Sequence, residues 1–124
     1  MLRALGLKRG ELSVLLCDDT TIRRLNREYR GQNKATDVLA FAMQEGPGPK
    51  HRPELLGDVV ISIPTATRQA RHHDRPIVQE TTFLLAHGLL HLLGYDHQTV
   101  GETRRMGAMT DVLLAAVEAA RRRR

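Results

Sequence analysis

The chain has 124 residues, one cysteine and a formal net charge of +5 at pH 7. A single cysteine excludes an internal disulfide framework, and no apolar run is long enough to cross a membrane. We therefore expect a cytoplasmic protein without a membrane partner. The last four residues are all arginine and supply most of the excess positive charge, so the net charge alone does not indicate nucleic-acid binding. We predict one domain over residues 1–120 and a basic, unstructured tail over residues 121–124.

The first half of the chain predicts two strands with a helix between them. Residues 11–17 form a short apolar run, which is typical of a strand. Residues 18–20 offer carboxylate and hydroxyl side chains that can cap a helix, and Gly31 is suited to end it. Residues 38–43 form the second predicted strand, and the glycines and prolines of residues 45–54 predict a loop.

The second half predicts a buried strand followed by three helices. Residues 57–63 are almost continuously apolar, as expected for a strand covered on both faces. Pro64 and Pro76 each pre-set the first turn of a helix, and a last helix is predicted over about residues 101–120. With residues 1–8 as an initial helix, this order predicts an α+β fold in which helices cover a small mixed β-sheet.

Three of the six histidines lie in the segment Ala-His-Gly-Leu-Leu-His-Leu-Leu-Gly-Tyr-Asp-His at residues 86–97. His87 and His91 are four residues apart, so on a helix both imidazoles project from one face. Gly94 suits the left-handed position after a helix end, where the chain can turn and bring His97 back toward the other two. Three neutral imidazoles leave the fourth position of a tetrahedral metal ion to water. We therefore predict a metal site on this central helix and the turn after it.

The same pattern admits a metal-free interpretation, in which the histidines only decorate a helix. The residues around them are mostly leucine, however, so the helix is expected to be buried. Buried imidazoles without partners cost free energy, because buried polar groups need hydrogen bonds or ligands. The metal site is therefore the preferred interpretation.

The spacing also matches the zinc-protease signature His-Glu-x-x-His-x-x-Gly-x-x-His, except at one position. Gly88 stands where those proteases carry the glutamate that acts as general base, and glycine cannot accept a proton. Within a helix, glycine costs roughly 1 kcal/mol relative to alanine, so we expect Gly88 to serve close packing or substrate approach. Peptide hydrolysis by the usual route is therefore disfavoured.

The histidine segment resembles the signature of the bacterial YbeY family, whose members are metal-dependent endoribonucleases and ribosomal RNA maturation factors. Residues 25–30 and 36–41 are similar to the family's Asn-x-x-aromatic-Arg…Thr-x-Val-Leu-Ser-Phe pattern, with Ala40 in place of the usual serine. Residues 56–62 resemble its Leu-Gly-Asp-Ile-x-Ile-Ser strand. The resemblance implies a similar fold, with one more N-terminal strand than this sequence predicts.

The resemblance implies a single-strand endoribonuclease that acts in ribosomal RNA processing and maturation, at the 3′ end of 16S rRNA, and in ribosome quality control. We expect one Zn²⁺ per chain, or another divalent transition metal, held by His87, His91 and His97. The expected partners are ribosomal RNA and the pre-ribosomal small subunit, with ribosomal proteins or assembly factors beside them. The alternatives are a metzincin-like metallopeptidase and a non-catalytic ribosome-assembly factor with a structural metal.

Arg30 is the catalytic candidate, because it matches the arginine of the family motif. It shares a helical stripe with Arg23 and Arg27, and such a stripe is ordinarily a solvated face. In the family, the matching arginine lies near the metal pocket, in a position to hold an RNA phosphate. The metal would lower the pKa of bound water to roughly 7. Asp96 would orient one of the histidine ligands or accept a proton. The residues do not distinguish attack on the phosphate by hydroxide from attack by the RNA's own 2′-hydroxyl.

Overall fold

A computed structural model describes residues 11–42, 55–95 and 100–122 of the chain. The elements in these ranges are, in chain order, β1 (Glu11–Cys17), α1 (Asp19–Arg30), β2 (Val38–Ala42), β3 (Leu55–Ser62), α2 (Ile63–His72), α3 (Ile77–Leu92) and α4 (Val100–Arg122). Among these described helices, none is both long enough and apolar enough to span a bilayer.

Some of the predicted features lie outside the described residues. They include the initial helix over residues 1–8 and the loop over residues 45–54. Asp96 and His97, which follow the central helix, also fall outside the described ranges. The roles assigned to these residues therefore stay predictions.

The three described strands form one sheet in the order β1-β3-β2. β1 pairs with β3 in parallel, while β2 pairs with β3 in antiparallel register. A parallel pair requires a crossover connection, and α1 lies within the chain that connects β1 to β3. The mixed sheet and its helices confirm the predicted α+β fold.

β3 is the central strand, and its side chains alternate between two apolar clusters. Val59 and Ile61 pack with Leu84 of α3 on one face, whereas Val60 packs with Ile22 of α1 on the other. Successive side chains of a strand point to opposite faces. Helices therefore cover the sheet on both sides, which is why β3 is apolar along nearly its whole length.

α3 lies between the sheet and α4. Its residues Ala86, Leu89 and Leu90 pack with Met106 and Leu113 of α4, while other apolar residues of α3 face the sheet. A helix that is apolar on most sides is expected to be buried. The prediction of a buried central helix is confirmed, and this burial fixes the backbone that carries the two histidines.

The observed ends of β3 and α4 differ from the predicted ends. β3 begins at Leu55, two residues before the predicted start, and stops at Ser62, because Ile63 already begins α2. α4 continues through residues 121 and 122, so the first part of the predicted unstructured tail is helical. Arginine is a good helix former, and positive charge is favourable at a helix C-terminus, which explains why α4 extends into the arginine run.

Candidate functional site

α3 presents His87 and His91 from one face, one helical turn apart, as their spacing predicts. Their Nε2 atoms are 3.1 Å apart. The two rings meet edge to face, with centroids 4.7 Å apart and an angle of 74° between their planes. Both side chains are half-buried and line a cleft, so the pair is held by the fold and still open to a ligand.

The separation of the two nitrogens fits a shared metal ion. Zn–N bonds of about 2.0 Å at a tetrahedral angle place two ligand nitrogens about 3.3 Å apart. The observed 3.1 Å is close to that value, and it also suits a hydrogen bond between the two imidazoles when no metal is bound. Within the described ranges, no third histidine, cysteine or carboxylate completes a metal-binding group with this pair. The predicted third ligand, His97, lies outside them.

α3 ends just after the histidine pair, at the glycine that the sequence analysis singled out. Gly94 has a φ of 92°, a conformation that side chains with a Cβ rarely adopt. The Gly94 N–H donates to the His91 carbonyl, and the Tyr95 N–H donates to the Leu90 carbonyl. These two bonds form a Schellman motif, which terminates a helix and reverses the chain. The predicted helix end is confirmed.

Gly88 lies where α3 comes closest to the sheet. A Cβ added to this residue would sit 2.7 Å from the Val59 Cγ1 atom and 3.3 Å from the Val38 Cγ2 atom. At such short distances, a side chain at this position would displace the Val59 side chain. The prediction of close packing is therefore confirmed, and a glutamate like that of the zinc proteases would disturb this packing.

The histidine pair opens into a cleft with a volume of about 530 Å³. α3 contributes His87, Gly88 and His91 to this cleft, and Arg30 reaches it from the end of α1. The Arg30 Nη2 atom donates to the Ala40 carbonyl at 2.6 Å, and the guanidinium lies over the Phe41 ring at 4.9 Å from its centroid. The structure thus brings the predicted catalytic arginine to the same cleft as the two predicted metal ligands.

Asp37 also lines this cleft, and the sequence analysis gave it no role. Its Oδ1 atom accepts hydrogen bonds from the Val38 N–H at 2.8 Å and the Thr36 hydroxyl at 3.3 Å. Its Oδ2 atom accepts a hydrogen bond from the Gln69 side-chain amide at 3.1 Å. The carboxylate is therefore held in place from both oxygens. Its position inside a block that resembles the YbeY family is the signal that points to it.

A chain of contacts supports His87 from the start of α3. Phe83 stacks against the His87 ring, with centroids 6.2 Å apart and an angle of 28° between the planes. The Arg75 guanidinium lies 5.2 Å from the centroid of the Phe83 ring, and its Nη2 atom donates to the buried Glu80 carboxylate at 2.7 Å. His73 contacts the other Glu80 oxygen at 2.6 Å. Glu80, Phe83 and His87 are three and four residues apart, which places them on one face of a helix. This spacing is the feature of the sequence from which the contacts could have been predicted.

Comparison with known proteins identifies the family. A sequence profile described as Endoribonuclease YbeY matches residues 2–118. The chain is 52% identical over 117 residues to an Endoribonuclease YbeY of Anaeromyxobacter sp. (strain Fw109-5), which covers 94% of this chain and 59% of that protein. It is 50% identical over 110 residues to an Endoribonuclease YbeY of Syntrophotalea carbinolica, which covers 87% of this chain and 73% of that protein. The chain thus spans less than two thirds of the first relative.

A solved structure has a similar fold. The solution structure of TM1509 from Thermotoga maritima superposes with a TM-score of 0.57, over 96% of this chain and 79% of that chain. The two sequences are 22% identical, so this likeness bears on the fold alone. It agrees with the small mixed sheet and the surrounding helices described above.

Proposed function

The chain belongs to the YbeY endoribonuclease family, and from this premise we propose that it is a zinc-dependent endoribonuclease that cleaves single-stranded segments of ribosomal RNA. The observation that carries the proposal is one cleft lined by His87, His91 and Arg30. Hydrolysis of a phosphodiester needs a group that activates an oxygen nucleophile and a group that neutralises charge on the phosphate. The cleft combines residues suited to each task.

His87 and His91 would hold the metal ion, with His97 as the predicted third ligand. An ion bound there supplies Lewis acidity toward water and toward a phosphoryl oxygen. Catalytic zinc sites have three protein ligands and one open position, whereas structural zinc sites are closed by four ligands and are often rich in cysteine. A histidine set of this kind therefore favours a catalytic ion over a structural one.

Arg30 would bind the phosphate. Its guanidinium is anchored by the Ala40 carbonyl and by the Phe41 ring, so its planar group is already oriented in the cleft wall. A guanidinium can pair with two phosphate oxygens at once. As negative charge grows on the phosphate during attack, a positive charge fixed in advance stabilises the transition state without further reorganisation.

Two nucleophiles suit this cleft: a water molecule and the 2′-hydroxyl next to the scissile phosphate. Attack by the 2′-hydroxyl forms a bond to phosphorus, expels the 5′-oxygen of the next nucleotide and leaves a 2′,3′-cyclic phosphate. Attack by water leaves a linear phosphomonoester. Mass spectrometry of the RNA ends distinguishes these two reactions. In either reaction, Asp96 is our candidate for the group that accepts the proton of the nucleophile.

We extend the proposal, on the basis of the family, to a cytoplasmic role in ribosome maturation. Its substrate there would be the 3′ end of 16S rRNA in the pre-ribosomal small subunit, and its neighbours would be ribosomal proteins or assembly factors. Cleavage of misassembled ribosomes would give it a part in quality control. Purified pre-ribosomal small subunits are the substrate on which this extension is tested.

The experiment that tests the activity compares two substrates. Zinc-loaded protein is incubated with structured ribosomal RNA and with casein, beside the His91→Ala variant prepared in the same way. We expect the parent to cut the RNA and to leave casein intact, and the variant to cut neither substrate. We expect casein to stay intact because Gly88 stands where zinc proteases carry the glutamate that activates water, and a side chain at this position would displace Val59.

Two outcomes would contradict the proposal. Degradation of casein with intact RNA would indicate a metallopeptidase. RNA that is bound but not cut by the parent, with binding lost in His91→Ala because the fold is destabilised, would indicate a non-catalytic assembly factor whose metal is structural.

A further inference from the structure

Three arginines of α1 lie along one flank of the helix, and we call them the arginine stripe: Arg23, Arg27 and Arg30. At 100° per residue, the three positions fall within roughly 60° of one another, and the rise of the helix separates Arg23 from Arg30 by about 10 Å. All three side chains are exposed. Since Arg30 lines the cleft, the stripe begins at the candidate site and leads away from it.

The loop between α1 and β2 runs beside the same flank. The Arg23 Nε atom donates to the Asn33 Oδ1 atom at 2.9 Å, and the Asn26 side-chain amide donates to the Lys34 carbonyl at 2.9 Å. The end of this loop, at Asp37, lines the cleft. The stripe and the loop therefore form one surface that reaches the candidate site, and the exposed Lys34 adds a further positive charge to it.

The acidic residues of α1 do not neutralise this surface. Glu28 lies roughly 130° around the helix from the centre of the stripe. Asp19 lies at the far end of α1, where it accepts hydrogen bonds from Ser62, Thr65 and Arg68. Asp37 is the carboxylate at the cleft end of this surface. The surface therefore carries the four positive charges of the stripe and Lys34 against one negative charge, although the chain without its arginine tail is close to neutral.

We propose that the arginine stripe binds the phosphate backbone of the RNA strand that enters the cleft. This inference rests on the proposed function and deepens it, because it assigns the path of the substrate outside the site of cleavage. A stacked strand carries one phosphate per roughly 3.4 Å of its axis, so a stripe of about 10 Å spans about three phosphate intervals, and its three guanidinium groups can each contact one phosphate. Guanidinium groups suit this task because each can contact a phosphate through two N–H donors.

The test uses two double variants that remove the same charge. Arg23→Ala/Arg27→Ala shortens the stripe and leaves Arg30 in place. Arg24→Ala/Arg104→Ala is the matched control, since Arg24 is an exposed arginine of α1 roughly a quarter turn away and Arg104 is an exposed arginine of α4. The probe is a short fluorescein-labelled single-stranded RNA, whose affinity is measured by anisotropy over a series of salt concentrations.

We expect the stripe variant to bind the RNA several-fold more weakly than the parent at low salt. The slope of log K against log salt concentration should also become shallower by about 1.4, because each of the two lost phosphate contacts contributes about 0.7 to the slope for a single strand. The control should keep the slope of the parent. Arg23→Lys/Arg27→Lys keeps both charges and should restore most of the slope. This third variant separates the loss of charge from the loss of the Arg23–Asn33 hydrogen bond, and thermal unfolding of each variant checks the fold.

Equal weakening in the two double variants would overturn the inference, because net charge alone would then explain binding. Unchanged RNA binding in the stripe variant would also overturn it and would assign the stripe to solvent or to an acidic protein. Binding is measured separately from cleavage. If the parent binds RNA through the stripe and cuts none, the proposed function fails while this inference stands.

Discussion

Arg30 is held by a main-chain contact, to Ala40, and by a side-chain contact, to the Phe41 ring. The hydrogen bond goes to the main-chain carbonyl of Ala40, so the alanine that replaces the family's usual serine leaves this anchor intact. The contact with Phe41 adds a cation–π interaction. These contacts orient the guanidinium before substrate arrives, which is what transition-state stabilisation requires.

Replacing Arg30 with alanine should lower RNA cleavage at saturating substrate by about a hundredfold, the effect of removing one fixed electrostatic group from an active site. Metal content and melting temperature should stay at the parent's values. Arg30→Lys should recover little activity, because an ammonium group cannot pair with two phosphate oxygens in a plane. If Arg30→Ala cleaves as fast as the parent, the phosphate is bound by another group.

Phe83 and Phe41 are the two phenylalanines of the chain, and each supports a different part of the site. Phe83→Leu removes the ring that stacks on His87 and should weaken zinc binding by about tenfold, as losses of groups that orient a ligand do. Phe41→Leu is the matched control and should leave zinc affinity unchanged. Competition with a chromogenic chelator measures both, and equal zinc affinities would show that the stacking does not position His87.

Gly88 and Gly107 offer a second matched pair, because both lie in helices but in different surroundings. Gly88→Ala should lower the free energy of unfolding by about 1–2 kcal/mol, since its Cβ would meet Val59 at 2.7 Å. A Cβ at Gly107 would have no neighbouring atom within 4 Å, so Gly107→Ala should raise the free energy of unfolding by up to about 1 kcal/mol. Urea unfolding measures both changes. A Gly88→Ala protein as stable as the parent would show that Val59 yields without cost.

At the scale of elements, Asp19 ties the start of α1 to the end of β3 and the start of α2. Its carboxylate accepts hydrogen bonds from Ser62 at 2.5 Å, Thr65 at 2.6 Å and Arg68 at 2.9 Å. These bonds stabilise the charged form and lower the pKa of Asp19 from 3.8 to about 2. The helix that carries the arginine stripe is thereby fixed to the centre of the sheet.

This link predicts how stability depends on pH. Because the pKa of Asp19 is lower in the folded state, its contribution is complete above the unfolded pKa of 3.8 and is lost as the pH falls through about 2. Asp19→Asn should therefore be less stable than the parent at pH 7, by about 1 kcal/mol once the screening of this partly exposed carboxylate by solvent is taken into account. The difference should shrink below pH 3.8.

Urea unfolding over a pH series measures this difference, with Asp111→Asn, an exposed carboxylate of α4, as the control. The control should differ little from the parent at any pH. A stability difference for Asp19→Asn that does not change with pH would contradict the assigned cause.

The elements were predictable where the pattern is local. The apolar run of β3, the i, i+4 histidines of α3 and the turn at Gly94 each follow from neighbouring residues, and each is confirmed. The support of His87 by Arg75 was not predicted, because it depends on the packing of the segment before α3 onto that helix. The position of Asp37 in the cleft wall was missed for the same reason, since its partner Gln69 is distant in sequence.

At the scale of the whole molecule, the candidate site combines two histidines from the buried helix α3 with one arginine from the exposed end of α1. α3 is packed between the sheet and α4, so the histidine pair is held at the centre of the fold. Arg30 comes from the end of α1, on the opposite face of the sheet, and reaches the cleft beside β2. The buried helix thus carries the two proposed metal ligands, and the surface helix carries the proposed phosphate-binding arginine, on the walls of one cleft.

The measurement that tests this account most directly is the rate of RNA cleavage by chelator-stripped protein as Zn²⁺ is added back. The account predicts no cleavage without metal, a rise in proportion to added Zn²⁺ and a plateau at one ion per chain. His87→Ala, treated identically, should stay inactive over the same range. Cleavage by the stripped protein at the rate of the zinc-loaded protein, or a plateau retained in His87→Ala, would contradict the assignment of this cleft as a metal-dependent nuclease site.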